Sequence, residues 1–152
     1  MSRFGDLLAA VMLTAWVGGL WAIGYLAAPV LFWKLPGDTR LAGNLAGTMF
    51  SIMSWVGIVS GFYLLIHRLA RFGASALRQL FFWTTLCMLL LTLGGYFGIQ
   101  PVIESLKAQA FPREVMQSAF SVRFARWHGI ASIVYLIESL LGLVLVVRAR
   151  QS

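Results

Sequence analysis

Long apolar segments dominate the pattern of this chain. Asp, Glu, Lys and Arg are absent from residues 7–33, 41–66 and 79–103, and a fourth apolar segment, residues 127–147 with Glu138 inside it, predicts a helix over residues 122–147. Each segment is longer than the ~20 residues with which a helix crosses the hydrocarbon core of a bilayer. Because lipid leaves backbone groups without partners outside helices and closed barrels, the pattern predicts an all-α membrane protein, a four-transmembrane-helix bundle. We expect one integral membrane domain over residues 1–152.

The connection between the third and fourth segments is the longest of the chain. Charged and apolar positions alternate over residues 103–118, and Pro101 and Pro112 interrupt the sequence there. This pattern predicts a short interfacial helix between helices 3 and 4, lying across one mouth of the bundle. No internal repeat is visible, which argues against an inverted-repeat transporter within one chain.

Composition and charge support the membrane class. The chain is 60% hydrophobic and 11% charged, with a formal net charge of +7. The basic residues flank the apolar segments, so the partner they indicate is a bilayer with anionic headgroups, and we expect no nucleic acid partner. The lone cysteine, Cys87, excludes an intrachain disulfide.

Four crossings place both termini on one side of the membrane, and the basic residues divide equally between the sides. One side carries Arg3, Arg68, Arg71, Arg78, Arg148 and Arg150, and the other carries Lys34, Arg40, Lys107, Arg113, Arg123 and Arg126. The loop 68–78 is short, and the positive-inside bias acts most strongly on short loops. The first apolar segment is too long for a signal peptide, so we read it as a retained helix. We therefore expect a multi-pass protein of the bacterial inner (cytoplasmic) membrane with cytoplasmic termini.

The fourth segment carries an acid, Glu138, near its middle. An ionised side chain at the bilayer centre is unfavourable by roughly 2.5–3.5 kcal/mol on insertion scales, so it faces a protein interior, finds a partner or holds a proton. Alignment of the segment centres brings Ser54 and Thr92 to the depth of Glu138. The sequence leaves two interpretations open: a hydrogen bond that holds helices together, or a proton or cation site formed by these residues.

A second polar group is predicted nearer the end of the same helix. His128 is ten residues from Glu138, about 15 Å along a helix, so the two cannot pair directly. The same alignment places Asn44 and Gln100 at the depth of His128, while Arg123 and Arg126 precede it by about one turn. These residues predict a ligand-binding pocket around His128, with a hydrogen-bonded interface histidine as the alternative.

The sequence gives little support for metal binding or catalysis. Met49 and Met53 lie one turn apart and, with His128, are weak candidates for a copper site, although packing is the usual role of such methionines. No Ser/His/Asp or Cys/His set, paired carboxylates or phosphate-binding glycine loop can be assembled, so no catalytic residues are assigned and a non-enzymatic role is favoured. Small residues such as Gly43 and Gly47 indicate close helix packing within the bundle, with a homo-oligomer or a membrane protein partner as a further possibility.

Three stretches carry a family resemblance. Residues 16–21 read WVGGLW, residues 28–32 read APVLF, and residues 123–132 read RFARWHGIAS. They resemble the transmembrane protein 205 family (TMEM205-like), which includes uncharacterised bacterial four-helix inner-membrane proteins. Relatives carry a polar residue before a proline where this chain has Gln100, and the eukaryotic ones usually have an Asn where residues 133–135 read IVY. The resemblance implies an integral membrane protein and no established reaction.

The chain is also similar, more distantly, to four-helix membrane modules of copper-resistance and haem-biosynthesis proteins. Those relatives use a histidine near the start of the first helix, which this chain lacks, and His67 and His128 are predicted on opposite sides of the membrane. No cofactor is therefore expected. The leading hypothesis is binding or transport of a small solute through the pocket around His128. The alternatives are an accessory subunit of a membrane complex and, less favoured, a copper- or haem-handling protein.

Overall fold

The computed structural model describes residues 3–149, and within this range the regular structure is helical. Four helices are long and apolar enough to cross a membrane: α1 (Arg3–Lys34), α2 (Thr39–Phe72), α3 (Leu80–Ala110) and α4 (Ser121–Ala149). The predicted all-α membrane class is therefore confirmed at this level. The helices extend beyond the predicted apolar segments, because polar residues at their ends continue the helical turns into the interface.

Two of the helices, α1 and α3, carry the same irregularity. In each, a π-helical turn stands just before a proline: Ile23–Ala27 before Pro29, and Gly95–Ile99 before Pro101. Proline has no N–H, and its ring would clash with the carbonyl one turn earlier in a regular α-helix. The wider π turn accommodates it, so neither helix ends there. The two helices thus share a local feature that was not predicted from the sequence.

The separate interfacial helix predicted for residues 103–118 does not form. Residues 100–110 continue α3 instead, and only a short 3-10 turn, Val115–Gln117, follows before α4. Leu106 is buried on the inner face of this extension, and the charged Glu104 and Lys107 face α2. The alternating pattern therefore reflects packing against the neighbouring helix and not a position flat on the membrane surface.

The four helices pack in chain order, each against the next, and α4 closes the bundle against residues Arg3–Ala22 of α1. The core lies toward the ends of the helices that carry the chain termini, which we call the terminal side. Trp16, Met88 and Leu145 are completely buried there. Trp16 of α1 lies against α2 at Gly57 and Gly61, where the absence of side chains admits the indole.

The opposite side, which carries the connections 35–38 and 111–120, is called the loop side. Here the last part of α1, Ala28–Lys34, packs on α2, while the contacts between α1 and α4 are concentrated earlier in α1. The last hydrogen bonds between α1 and α4 join Trp21 to Ser139 and Tyr135 to Leu20. Beyond Gly24, which lies against the Tyr135 ring, α1 packs on α2, and we call the space between Ala28–Lys34 and α4 the lateral gap.

Polar contacts tie the helix ends together on each side. On the terminal side, Asp6 pairs with Arg71 and lies 3.3 Å from His67, and the Tyr63 hydroxyl donates to the Gly5 carbonyl. On the loop side, Thr39 at the start of α2 donates to Glu114 in the connection before α4. Arg150, which contributed to the sequence-based topology, lies outside the described residues.

Candidate ligand-binding cavity

A cavity of about 640 Å³ lies between the helices on the loop side. All four helices line it. It extends from Glu138 near the middle of α4 to Glu104 and Lys107 near the end of α3. Its volume falls within the roughly 300–1,000 Å³ of small-molecule sites.

The deep end of the cavity is formed around Glu138, whose residue is 5% exposed. Its Oε1 atom is in hydrogen-bond contact with the Thr92 hydroxyl of α3. The indole N–H of Trp16 also interacts with this carboxyl group, outside hydrogen-bond geometry, and it is buried without another partner. Among residues 3–149, no basic side chain forms an ion pair with Glu138. The carboxyl group thus faces the cavity without a counter-charge.

The Thr92 hydroxyl reaches two acceptors. Its oxygen lies 2.9 Å from the Met88 carbonyl oxygen and contacts the Glu138 carboxyl group as well. A hydroxyl has a single proton to donate but can also accept. Thr92 can therefore donate to Met88 while accepting from a protonated Glu138, or turn its proton toward an ionised Glu138. The pair suits both forms of the acid.

Aromatic rings form the walls above Glu138. Tyr135 is central, with Phe50 of α2 at 5.2 Å and Tyr25 of α1 at 6.2 Å between ring centres, both edge to face. The Tyr135 hydroxyl donates to the Leu20 carbonyl, which fixes the ring across the cavity. Gly24 makes this position possible, because a Cβ there would lie 2.3 Å from the Tyr135 ring.

Polar side chains of α3 close the cavity toward α2. Gln100 donates to the hydroxyl of Ser51, and Lys107 pairs with Glu104 at 2.8 Å while lying 3.5 Å from the Gly43 carbonyl oxygen. Gly47 lies against the same ion pair. The side between α2 and α3 is therefore bridged, whereas the lateral gap between α1 and α4 has no such bridge among the described residues.

His128 stands at the edge of the lateral gap. Its ring stacks on Phe124 one turn earlier, with ring centres 5.6 Å apart and planes within 9°. Both residues line the cavity, and His128 is also exposed. Across the gap the lining includes Pro29 and Phe32 of α1. The imidazole is thus available to a molecule that enters from the side.

The residues proposed from sequence are only partly brought together. Five of them line the cavity: His128, Gln100, Glu138, Ser54 and Thr92. The other three, Asn44, Arg123 and Arg126, are exposed and lie outside the lining. The arginines belong to the first turns of α4, where their long side chains reach solvent or headgroups.

The structure also bears on the hydroxyl partner predicted for Glu138 and on the candidate copper ligands. Ser54 donates to the Phe50 carbonyl of its own helix, so Thr92 is the hydroxyl that reaches Glu138. Met53 lines the cavity and Met49 does not, and no cluster of three or more His, Cys, Asp or Glu residues occurs in the described part of the chain. His67 lies beside Asp6 on the terminal side, far from the site of His128.

A comparison with protein families identifies the chain. The model of a family described as a domain of unknown function, DUF4149, matches residues 11–112. The chain belongs to this family. No relative was detected among curated proteins, and none among solved structures.

The DUF4149 match covers most of α1, all of α2 and α3, and both π turns. Thr92, Gln100 and Pro101 fall within it, whereas His128 and Glu138 lie beyond its end. The family model therefore includes three of the four cavity walls, and α4 adds the acid and the imidazole.

Several cavity features of this DUF4149 chain were missed in the sequence. Tyr25 and Tyr96 line the cavity from the two π turns, and Glu104 and Lys107 form its loop-side end. The Gly-Tyr pairs at 24–25 and 95–96, each a few residues before a proline, were the available signal. The lateral gap left no signal, because it depends on how the helices diverge.

Proposed function

We propose that this protein is a non-enzymatic membrane protein that binds, and helps to move, a small amphipathic molecule in the cavity. The observation that carries this proposal is the continuous cavity from Glu138 to the lateral gap. Apolar walls with a few convergent polar groups are typical of ligand sites. His128, Ser132 and Gln100 supply such groups along the path, and Glu138 supplies the deepest one.

The lateral gap supports entry from the membrane. An apolar molecule dissolved in the bilayer would meet the cavity between α1 and α4 without first crossing the loops. Phe32 and Phe124 on the two edges offer it aromatic contact, and His128 offers a hydrogen bond. In this proposal His128 is the first polar contact at the mouth, and Glu138 is the end point.

The proposal is tested by filling the cavity. Ala131 lines it on α4, while Ala125 of the same helix is exposed outside it. The chain is reconstituted in lipid nanodiscs with an apolar photoreactive probe, and the labelled residues are mapped by mass spectrometry. We expect wild type and Ala125→Trp to be labelled along the cavity, and Ala131→Trp to lose that labelling. Labelling spread evenly over lipid-facing residues in all three proteins would contradict ligand binding, and one stoichiometric co-purified protein would then favour the accessory-subunit alternative.

We further propose that the chain is TMEM205-like and resides in the bacterial inner membrane with cytoplasmic termini. The motifs at residues 16–21 and 123–132 and the short basic loop 68–78 support this assignment. A reporter fused after Ser152 tests the orientation, and we expect activity from a reporter that works only in the cytoplasm. Activity from a reporter that works only outside the cytoplasm would reverse the proposed topology.

A further inference from the structure

We infer that the cavity takes a lipophilic organic cation, which binds at Glu138 in exchange for a proton. This inference rests on the proposed function and specifies the chemistry of its ligand. The exchange is balanced: the cation enters, the carboxylic acid of Glu138 releases its proton to water, and the carboxylate remains as the counter-charge. No covalent bond to the ligand forms or breaks.

The charges of the cavity lining favour a cation over an anion. Three lining residues are formally charged: Glu138, Glu104 and Lys107. Glu104 and Lys107 neutralise each other at 2.8 Å. Arg123 and Arg126, which would have attracted an anion, lie outside the lining. The remaining charge is the carboxyl group at the apolar deep end.

Glu138 requires a positive partner in any ionised state. A buried charge without an opposite charge is strongly unfavourable, so a carboxyl group in an apolar site carries a proton or meets a cation. The protein provides no ion pair for it in the described residues. Thr92 can serve either form of the acid by turning its hydroxyl, and the N–H of Trp16, which has no other partner, points to the same carboxyl group.

The walls above the acid suit an organic cation better than a small metal ion. The rings of Tyr135, Phe50 and Tyr25 surround the space next to Glu138. Aromatic faces attract quaternary and ammonium cations by cation–π interaction and also pack against their apolar substituents. A metal ion would require several ligands around it, and no group of three or more His, Cys, Asp or Glu residues that could hold one is found over residues 3–149.

The groups that could compete in the proton exchange are few. Around the cavity, α1 contributes Tyr25, α3 contributes Tyr96 and the Glu104–Lys107 ion pair, and α4 contributes His128 and Tyr135 beside Glu138, while α2 contributes no titratable side chain. The Tyr135 hydroxyl already donates to the Leu20 carbonyl, and the Glu104 carboxylate is paired with Lys107 at 2.8 Å. His128 lies at the mouth, about 15 Å along the helix from Glu138. The released proton is therefore assigned to Glu138.

The experiment uses methyltriphenylphosphonium as the cation and triphenylphosphine oxide as a neutral molecule of similar shape. Binding of each is measured by equilibrium dialysis with the full chain in nanodiscs of zwitterionic lipid. In wild type we expect the cation to bind more tightly than the neutral probe. Glu138→Gln should weaken cation binding on the order of a hundredfold, because a buried charge loses its partner. Its binding of the neutral probe should change far less than its binding of the cation, and its folding is checked separately by the thermal unfolding midpoint in detergent.

Two further measurements complete the test. Glu114→Gln removes a carboxylate outside the cavity and should bind both probes as wild type does. In weakly buffered solution, a pH indicator should report about one proton released per cation bound by wild type, and this measurement does not depend on the variant.

The outcomes separate the two proposals. The cation inference would be overturned if Glu138→Gln bound each probe as tightly as wild type does. Cation binding without proton release would overturn it as well, and either result would leave the cavity as a site for apolar molecules. Failure of wild type to bind either probe above empty nanodiscs would overturn the inference and count against the proposed function as well.

Discussion

The indole ring of Trp16 occupies the space that a side chain at Gly57 would need. A Cβ at Gly57 would lie 2.5 Å from Nε1 of Trp16, and the indole is completely buried. This contact joins α1 to α2 directly beneath the cavity and holds Trp16 beside Glu138. Gly57 of α2 therefore helps to position Trp16 of α1 at the deep end of the cavity.

Gly57→Ala should destabilise the bundle. The added methyl group overpacks the contact with Trp16, and overpacking of this kind typically costs about 1–3 kcal/mol. Gly18→Ala is the control, because a Cβ there meets nothing within 4 Å. Thermal unfolding in detergent, followed by the loss of monodisperse protein, should show a lower midpoint for Gly57→Ala alone. Equal midpoints for the two variants would show that the Trp16 contact is not tight.

Thr92→Val should lower stability through Glu138. The substitution leaves the buried carboxyl group without its hydroxyl partner, a loss of about 1–3 kcal/mol for an unsatisfied buried polar group. Thr85 is also buried, but its hydroxyl donates to the Phe81 carbonyl of its own helix. Thr85→Val therefore provides the matched control and should change the unfolding midpoint less. If both valines had the same effect, the Thr92–Glu138 contact would contribute nothing specific.

A cysteine at Ser132 should be accessible from water through the cavity mouth. Ser132 lines the cavity, whereas the adjacent residue, Ile133, faces outward. Thiol reagents attack the thiolate, which forms in water and not in lipid. In a Cys87→Ser background, a charged methanethiosulfonate should label Ser132→Cys in intact membranes faster than Ile133→Cys. Faster labelling of Ile133→Cys than of Ser132→Cys would show that the cavity mouth opens to lipid alone and that water does not reach Ser132.

Asp6→Asn should have a small effect. Asp6 pairs with Arg71 on the terminal side, and about two fifths of each side chain is exposed, 43% and 42%. Exposed ion pairs contribute roughly 0–1 kcal/mol because water and salt screen them. The unfolding midpoint should therefore move less than for Thr92→Val, and less still at high salt. A large loss would indicate that the Asp6 contact with His67 organises this end of the bundle.

Much of the fold could be predicted from the spacing of charges, because a segment of about 20 apolar residues has few alternatives to a membrane-spanning helix. Helix ends were less predictable. Residues 100–110 read as a break because Pro101 follows an apolar segment, but the π turn before it allowed α3 to continue. Whether a proline ends a helix depends on the width of the preceding turn, which residue types alone do not reveal.

The candidate site, like the fold, could be predicted only in part. The helical face with His128, Ala131, Tyr135 and Glu138 was predictable because 100° per residue places these positions together, and the structure turns them to the cavity. Depth alignment brought Thr92 to Glu138 for a similar reason. It failed for Asn44, because depth does not specify which way a side chain points around the helix axis, and Asn44 points outward.

The lateral gap between α1 and α4 has a consequence for how affinity should be expressed. If ligands enter from the bilayer as proposed, lipid tails also reach this opening, and an acyl chain is the first competitor for the apolar walls. Occupancy then depends on the mole fraction of ligand in the membrane and not on its concentration in buffer. The length and saturation of the lipid acyl chains then become variables of the binding reaction. Detergent micelles dilute a hydrophobic ligand and would therefore shift the apparent dissociation constant without any change in the protein.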